Sequence, residues 1–207
     1  IFELKREGYP FVMVDKFFRD IDTDYVVTDN VDGAYQAVEH LIKLGHKRIG
    51  HIAGLECTAD EDRLEGYRRA LGRYKLVYEP ELIKRMSGNG FKTMEPKNGG
   101  YDEMRLLLSL EEKPTAVFAG NDYLAIGAVK AIREAGLNVP DDIAVVGFDD
   151  LKFSGSFEIP LTTVAQPFRD IGKKAAKILL SKIENAKYRD TEKIVLEPKL
   201  IVRKSCG

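Results

Sequence analysis

Short apolar runs alternate with helical patterns along most of the chain, and this alternation is the feature that most constrains the fold. The runs Thr115–Ala119 and Ile143–Phe148 are almost continuously apolar, which is typical of strands buried on both faces. The segment Asn121–Ala135 between them carries apolar residues at helical spacing. Parallel strands need a crossover connection, which is usually a helix. The repeated pattern therefore predicts an α/β protein built on doubly wound parallel sheets.

The other segments follow the same pattern. Further strands are predicted at Phe11–Asp15, Tyr25–Asp29, Arg48–Gly54, Leu82–Met86, Leu161–Val164 and Lys193–Val202. Further helices are predicted at about Val31–Leu44, around Leu64–Leu71, at Tyr101–Leu110 and at Pro167–Asn185. Thr58 and Glu61 have the spacing of a capping box at the start of the second of these helices. The segment Ile1–Gly8 has the form of a helix end that glycine stops, so we expect the polypeptide to extend upstream of Ile1.

The charge balance excludes some classes of function. The 207 residues contain 32 Lys and Arg against 33 Asp and Glu, a net charge of −1, whereas a freestanding DNA-binding module usually carries a basic excess. We therefore expect any contact with nucleic acid to be made by another segment. No apolar run approaches the roughly 20 residues of a membrane span. Cys57 and Cys206 lie outside any CxxC pattern, and free thiols are typical of a reducing cytoplasm.

Polar side chains stand where the predicted strands end. Asn121, Asp149 and Gln166 each follow or end a predicted strand, and Arg63 lies near the start of a helix. Ligands of open α/β sheets bind beyond the carboxyl ends of the strands. An Arg near a helix N-terminus opposes the helix dipole, so a binding partner explains it better than helix stability does. The four side chains together can satisfy a ring of hydroxyl groups, although Asn121 and Asp149 alone are equally well explained as helix caps or loop residues.

Motifs for catalysis and metal binding are not supported. Asp149 and Asp150 are adjacent, so on an extended chain they point to opposite faces and cannot form the facing carboxylate pair of a glycoside hydrolase. The segment Ser154–Ser156 lacks the Gly-x-Ser-x-Gly frame of a nucleophile elbow. None of the three histidines has the spacing of a zinc site. The sequence therefore predicts no catalysis, no bound metal and no cofactor.

Several segments resemble the effector-binding domain of the lactose/galactose repressor family, which is related in fold to periplasmic sugar-binding proteins. They occur in the family's order, span nearly the whole chain, and are Ala37–Ile49, Arg63–Tyr67, Thr115–Gly127, Gly136–Ile143, Val146–Asp150 and Pro160–Pro167. The resemblance implies two doubly wound parallel-sheet subdomains joined by crossover strands, the first incomplete at its N-terminus. The expected boundaries are residues 1–54 and 165–186 for the first subdomain, and residues 55–164 and 187–207 for the second.

The resemblance also implies a ligand site in the cleft between the subdomains. The expected ligand contacts are Arg63, Asn121, Asp149, Gln166, Phe91, Phe168 and Asp32. By resemblance, the first three are the family's arginine, cleft asparagine and carboxylate. Phe91 is expected to stack on the ligand from a variable loop, and Asp32 is expected to contact it from the first subdomain.

The function that the resemblance implies is control of transcription by a small sugar. The chain would be the ligand-binding domain of a cytoplasmic repressor that acts as a homodimer, with dimer contacts from Asn121–Ala135 and Leu151–Glu158 and an operator-binding domain upstream of Ile1. The ending Leu196–Ser205 resembles that of arabinose repressors and favours L-arabinose, while a purine or a phosphorylated sugar stays open. Two alternatives are a periplasmic sugar-binding receptor of a transport system and a sugar-processing enzyme.

Overall fold

The chain folds around two separate β-sheets, and the computed structural model describes residues 1–86, 99–185 and 190–207. The strands are β1 (Val12–Val14), β2 (Asp24–Thr28), β3 (Ile49–Ala53), β4 (Ile83–Arg85), β5 (Ala116–Ala119), β6 (Ala144–Asp149), β7 (Thr162–Ala165), β8 (Lys193–Leu196) and β9 (Lys199–Ile201). The helices are α1 (Phe2–Glu7), α2 (Asn30–Lys43), α3 (Thr58–Arg73), α4 (Tyr101–Leu108), α5 (Asp122–Glu134) and α6 (Phe168–Glu184). No helix in the described ranges is long and apolar enough to cross a lipid bilayer.

The larger sheet has six strands in the order β4-β3-β5-β6-β7-β9, and β9 is antiparallel to β7 while the other neighbours are parallel. Helices α2 and α3 cover one face of this sheet, and α4 and α5 cover the other. Successive residues of a strand point to opposite faces, so Val117 of β5 lies in one core and Phe118 in the other. We call this sheet with α2–α5 the large lobe.

The smaller sheet has three parallel strands in the order β1-β2-β8. Helix α6 packs on it, with Ile171 and Ile178 buried against Val26 of the central strand. We call this sheet with α6 the small lobe. The chain passes between the lobes after β2, after β7 and between β8 and β9, so three connections join them.

Two predictions about local structure are wrong. The predicted strand Lys193–Val202 is two strands, because Glu197 and Pro198 separate β8, which pairs with β2, from β9, which pairs with β7. The predicted capping box at Thr58 is absent, because Cys57 occupies the N-cap position of α3 and Thr58 is already the first helical residue. The Thr58 hydroxyl instead bonds the backbone of Phe17.

Sheet membership also differs from the expected subdomain boundaries. Strand β3 falls within the expected first segment, residues 1–54, but it lies in the large-lobe sheet between β4 and β5. Strand β8 falls within the expected second subdomain, but it lies in the small-lobe sheet. The apolar face of α2 packs against α3, which draws the chain into the large lobe directly after β2. We therefore propose a first lobe boundary near Asp29 rather than at residue 54.

Candidate functional site

A cavity of about 420 Å³ lies between the two lobes, where the strands of both sheets end. The residues that end or follow six of these strands line it: Asp15, Gly54, Met86, Asn121, Asp149 and Gln166. Arg63 of α3 and Phe168 of α6 also line it. Five of the residues predicted to contact a ligand therefore meet at one cavity, and they come from both lobes.

The Arg63 side chain is held firmly beneath this cavity. It is 8% exposed; its Nε donates to Asn30 Oδ1 at 2.9 Å, and its Nη1 donates to the Gly120 carbonyl oxygen at 2.6 Å. The guanidinium carbon lies 4.0 Å from the centre of the Phe148 ring, a favourable cation–π arrangement. The remaining nitrogen, Nη2, lies 3.8 Å from Asp149 Oδ1. Two edges of the guanidinium are thus fixed by the protein, and the third is directed toward Asp149.

Asp149 is connected to the small lobe by a chain of hydrogen bonds. Gln166 Nε2 donates to Asp149 Oδ1 at 2.7 Å, and the hydroxyl of Thr28, the last residue of β2, donates to Gln166 Oε1 at 2.5 Å. The backbone of Asp149 has φ 111°, in the left-handed region that residues other than glycine rarely adopt. A strained conformation of this kind persists only where the surrounding structure holds it in place, and it is often found at functional sites. The carboxylate is therefore fixed in direction by contacts from both lobes.

Asn121 has a structural role as well as a place in the cavity lining. Its Oδ1 accepts a hydrogen bond from the Leu124 backbone N–H at 2.9 Å, which caps the N-terminus of α5. Its oxygen is thus used by the helix, and its NH2 group is the part that can donate to a ligand.

The neighbouring Asp122 supports the site from beneath. Its side chain is fully buried and accepts three hydrogen bonds, from Leu151 N at 2.8 Å, Ser154 Oγ at 2.5 Å and Thr163 Oγ1 at 2.5 Å. Burial raises the pKa of the Asp122 carboxyl, and the hydroxyls of Ser154 and Thr163 oppose this rise. Asp122 thereby ties the start of α5 to β7 and to the loop that follows Asp149.

The environment of Asp149 changes its acidity. Burial raises its pKa to about 6, although the positive charge of Arg63 and the hydrogen bond from Gln166 act in the opposite direction. The negative charges of Asp122 and Asp15 raise the pKa further. At pH 7 the carboxyl is therefore mostly ionised and able to accept hydrogen bonds, and it gains a proton in mildly acidic solution.

This raised pKa gives a prediction about stability. Because the pKa of Asp149 is higher in the folded protein than in the unfolded chain, the native state binds more protons between about pH 4 and pH 6, and the free energy of unfolding falls as pH rises through this window. We expect Asp149→Asn to remove this loss. The free energy of unfolding of the variant should therefore rise by about 2 kcal/mol relative to that of the parent protein as the pH is raised from 4 to 7. Urea unfolding of both proteins at several pH values measures the difference. Parallel pH profiles would contradict the assignment.

One predicted contact, Asp32, does not line this cavity, and another lies outside the described residues. Asp32 is exposed on the first turn of α2, and its carboxylate accepts a hydrogen bond from Gln36 Nε2 at 2.6 Å. Helical geometry turns Asp32 away from the face that packs on the large-lobe core. Phe91, the predicted stacking aromatic, lies outside the described residues.

Sequence reasoning missed four polar residues around the cavity: Asp15, Lys16, Asn30 and Asp60. Asp15 and Lys16 line it from the small lobe, and Asn30 holds Arg63. Asp60 is buried; its Oδ1 accepts from Gly54 N at 2.8 Å and its Oδ2 from Arg85 Nη1 at 2.6 Å. The sequence could have indicated Asn30, because its spacing from the apolar residues of α2 places it on the buried face of that helix. Asp60 could not be found in this way, since its contacts depend on distant strands.

The described residues also bear on metal binding. Within residues 1–86, 99–185 and 190–207, no three His, Cys, Asp or Glu side chains are grouped so that they could hold a metal ion. Two buried polar atoms in these ranges have no hydrogen-bond partner, His51 Nε2 and Glu103 Oε2. Neither residue lines the cavity between the lobes.

Comparison with known proteins places the chain in a family. Residues 38–206 match the family described as periplasmic binding protein-like domain. The HTH-type transcriptional repressor PurR of Haemophilus influenzae is 38% identical over 199 residues, which are 95% of this chain and 57% of that repressor. The chain thus spans less than two thirds of this relative.

Two solved structures of similar proteins share this fold. The transcriptional regulator CelR in complex with cellobiose is 34% identical with a TM-score of 0.89, covering 98% of this chain and 60% of that one. A LacI family transcriptional regulator from Enterococcus faecium with bound ribose is 30% identical with a TM-score of 0.83, covering 99% and 73%. With its two lobes and the cavity between them, this chain belongs to the periplasmic binding protein-like family, in the group formed by the effector-binding domains of LacI-family transcriptional regulators.

Proposed function

We propose that the chain is the effector-binding part of a bacterial transcriptional repressor, and that a small sugar binds in the cavity between the lobes. The observation that carries this proposal is the convergence of Arg63 and Asp149 on one cavity, each with part of its hydrogen-bonding capacity held by the protein. A sugar hydroxyl both donates and accepts hydrogen bonds. Neighbouring hydroxyls can therefore donate to the carboxylate and accept from the guanidinium at the same time.

The site is already organised for such a ligand. Asn30 and Gly120 fix Arg63, and Gln166 fixes Asp149, so little side-chain freedom is lost when a ligand binds. The carboxylate also lies close enough to the guanidinium for each to bias the orientation of a shared ligand. In the proposed sensor the ligand would bind and leave without chemical change.

The size and lining of the cavity favour a monosaccharide. A volume of about 420 Å³ lies at the lower end of the range for small-molecule sites. Phe168 and Tyr123, which line the cavity and are 47% and 39% exposed, offer aromatic surface for the apolar face of a sugar ring. Among monosaccharides we propose a pentose, L-arabinose or ribose. A planar nucleobase is a second candidate, because the same aromatic side chains can stack on it.

Ligand binding would raise the fraction of molecules in which the two lobes are closed. A ligand that contacts both lobes shifts the equilibrium only by the difference in its affinity for the open and closed states. The proposed repressor is a cytoplasmic homodimer whose subunits contact each other through α5 and residues 151–158. Closure of the lobes would change the orientation of the two subunits, and with it the binding of operator DNA by a domain outside this chain. Phe153 and Phe157 are only half-buried in that segment, which fits such a contact.

A ligand screen by thermal unfolding tests the proposal. We expect a pentose or hexose to raise the unfolding midpoint, since a ligand at a hundredfold excess over its Kd stabilises the native state by about 2.7 kcal/mol. Nucleobases, cellobiose and phosphorylated sugars complete the panel, and mass spectrometry should recover the bound sugar unchanged. A shift with nucleobases alone would favour the second candidate. No shift with any member, or a chemically altered sugar, would contradict the proposed function.

A further inference from the structure

The carboxylate of Asp60 occupies a position that suits a bound anion. Asp60 lies in the first turn of α3 and lines the cavity, and its side chain is 5% exposed. Its Oδ1 accepts a hydrogen bond from Gly54 N at 2.8 Å, and its Oδ2 accepts one from Arg85 Nη1 at 2.6 Å. Backbone N–H groups, guanidinium groups and helix N-termini are what proteins use to hold phosphates and carboxylates. Here they hold a carboxylate of the chain itself.

Two glycines let this carboxylate approach the ends of two neighbouring strands. Gly54 directly follows β3, and Gly120 directly follows β5. A Cβ added at either position would lie 3.2 Å from Asp60 Oδ1, which is a tight contact. Glycine is the residue that allows the backbone to come this close to another group. The carboxylate is therefore closely packed against the strand ends at the margin of the cavity.

The side chain of Arg85 depends on this carboxylate for its partner. Arg85 ends β4, and its side chain is 29% exposed, so most of it is removed from water. Within the described part of the chain, the hydrogen bond and ion pair to Asp60 are the only ones that the Arg85 guanidinium makes. A largely buried charge without a partner is unfavourable. Loss of the Asp60 carboxylate would therefore leave a guanidinium beside the cavity that can bind another anion.

The charges around the cavity also disfavour a negatively charged ligand. Among the described residues that line it, the carboxylates are Asp15, Asp60 and Asp149, and the cations are Lys16 and Arg63. Arg63 Nη2 lies 3.8 Å from Asp149 Oδ1, so this cation already faces a negative charge. A phosphate ester carries about 1.5 to 2 negative charges at pH 7. It would enter a cavity whose lining has more negative than positive side chains, and the repulsion would weaken its binding.

We propose that Asp60 is an internal anion, and that it restricts the effector to uncharged molecules such as a sugar without a phosphate group. The restriction on the effector rests on the proposed function, whereas the role of Asp60 as an internal anion does not. Asp60 determines specificity by occupying the position and the partners that a phosphate group of the ligand would need.

An added anion that takes the place of the carboxylate tests the first part of this proposal. Asp60→Ala removes the carboxylate, and we expect sodium formate to raise the unfolding midpoint of this variant more than that of the parent protein. The dependence of the midpoint on formate concentration gives the affinity. It should be about tenfold higher in the variant, the effect of one hydrogen bond to a charged group. Sodium chloride keeps the ionic strength constant, because salt screens charges.

Further variants identify the partner of the formate. Asp60→Ala/Arg85→Gln also removes the guanidinium and should lose the gain in affinity. Asp62→Ala is the matched control, because Asp62 pairs with Arg19 on the same helix but does not line the cavity, and it should behave as the parent protein. If Asp60→Ala does not fold, Asp60→Asn keeps the shape of the side chain and frees Arg85 in the same way. Parent affinity for formate in these Asp60 variants, or an equal gain in Asp62→Ala, would overturn the internal anion.

The second part is tested with L-arabinose, D-ribose and their 5-phosphates by isothermal titration. We expect the parent protein to prefer the free pentose, and Asp60→Asn to reduce this preference about tenfold. A parent protein that prefers a 5-phosphate, or an unchanged preference in Asp60→Asn, would overturn the restriction and leave the proposed sugar site standing. Formate binding by Asp60→Ala without binding of any sugar would contradict the proposed function and leave the internal anion standing.

Discussion

Asp149→Asn is expected to weaken effector binding about 30-fold, which corresponds to the loss of one hydrogen bond to a charged group. Asp149 lines the cavity, lies beside Arg63 and has its orientation fixed by Gln166. The substitution keeps the shape of the side chain but removes its charge and half of its acceptor capacity. Isothermal titration with the sugar identified by the thermal screen measures the change.

The adjacent carboxylate provides a matched control. Asp150 is one residue away, but it pairs with Arg203 Nη2 at 2.7 Å and does not line the cavity. We expect Asp150→Asn to bind the sugar within about twofold of the parent protein, because this carboxylate contacts Arg203 and does not line the cavity. Equal affinities in Asp149→Asn and the parent protein would remove Asp149 from the binding site.

Gly66→Ala should destabilise the fold by about 3 kcal/mol, the upper part of the range for overpacking a core. A Cβ at Gly66 would lie 2.2 Å from the Val31 carbonyl oxygen and 2.8 Å from the Ala34 Cβ, so α2 and α3 would have to move apart. These helices cover one face of the large-lobe sheet, and Arg63 lies one turn before Gly66. Urea unfolding measures the loss of stability.

A second glycine in the same helix gives the opposite expectation. A Cβ at Gly72 would meet no atom within 4 Å. Gly72→Ala should therefore stabilise the protein by about 0.5–1 kcal/mol through helix propensity alone. Equal unfolding free energies in Gly66→Ala and Gly72→Ala would show that the close approach of α2 and α3 has no energetic consequence.

The sequence contained enough information to predict that several polar side chains meet at one edge of a sheet, because of how parallel sheets are built. Asn121, Asp149 and Gln166 stand at the ends of apolar strands, and parallel strands end at a common edge. The helical spacing of α2 could have indicated that Asp32 lies on the exposed side of this helix. Asn30, in phase with Ala34 and the rest of the buried stripe of α2, points inward and holds Arg63, whereas Asp32 lies on the exposed side.

Other features depend on contacts between distant parts of the chain and could not be predicted from local patterns. The spacing of Thr58 and Glu61 fits a capping box, and only the approach of Phe17 shows that the hydroxyl is used elsewhere. The run Lys193–Val202 has the composition of one strand. Pro198 was a local sign of a break, but the division of the run between two sheets follows from the positions of β2 and β7.

The most direct test of the account is a crystal structure of the protein with the sugar identified by the thermal screen. We predict that the sugar lies between the lobes, with hydroxyl oxygens within hydrogen-bonding distance of both Arg63 Nη2 and the Asp149 carboxylate. A sugar bound elsewhere, or one between the lobes that contacts neither side chain, would contradict the central claim.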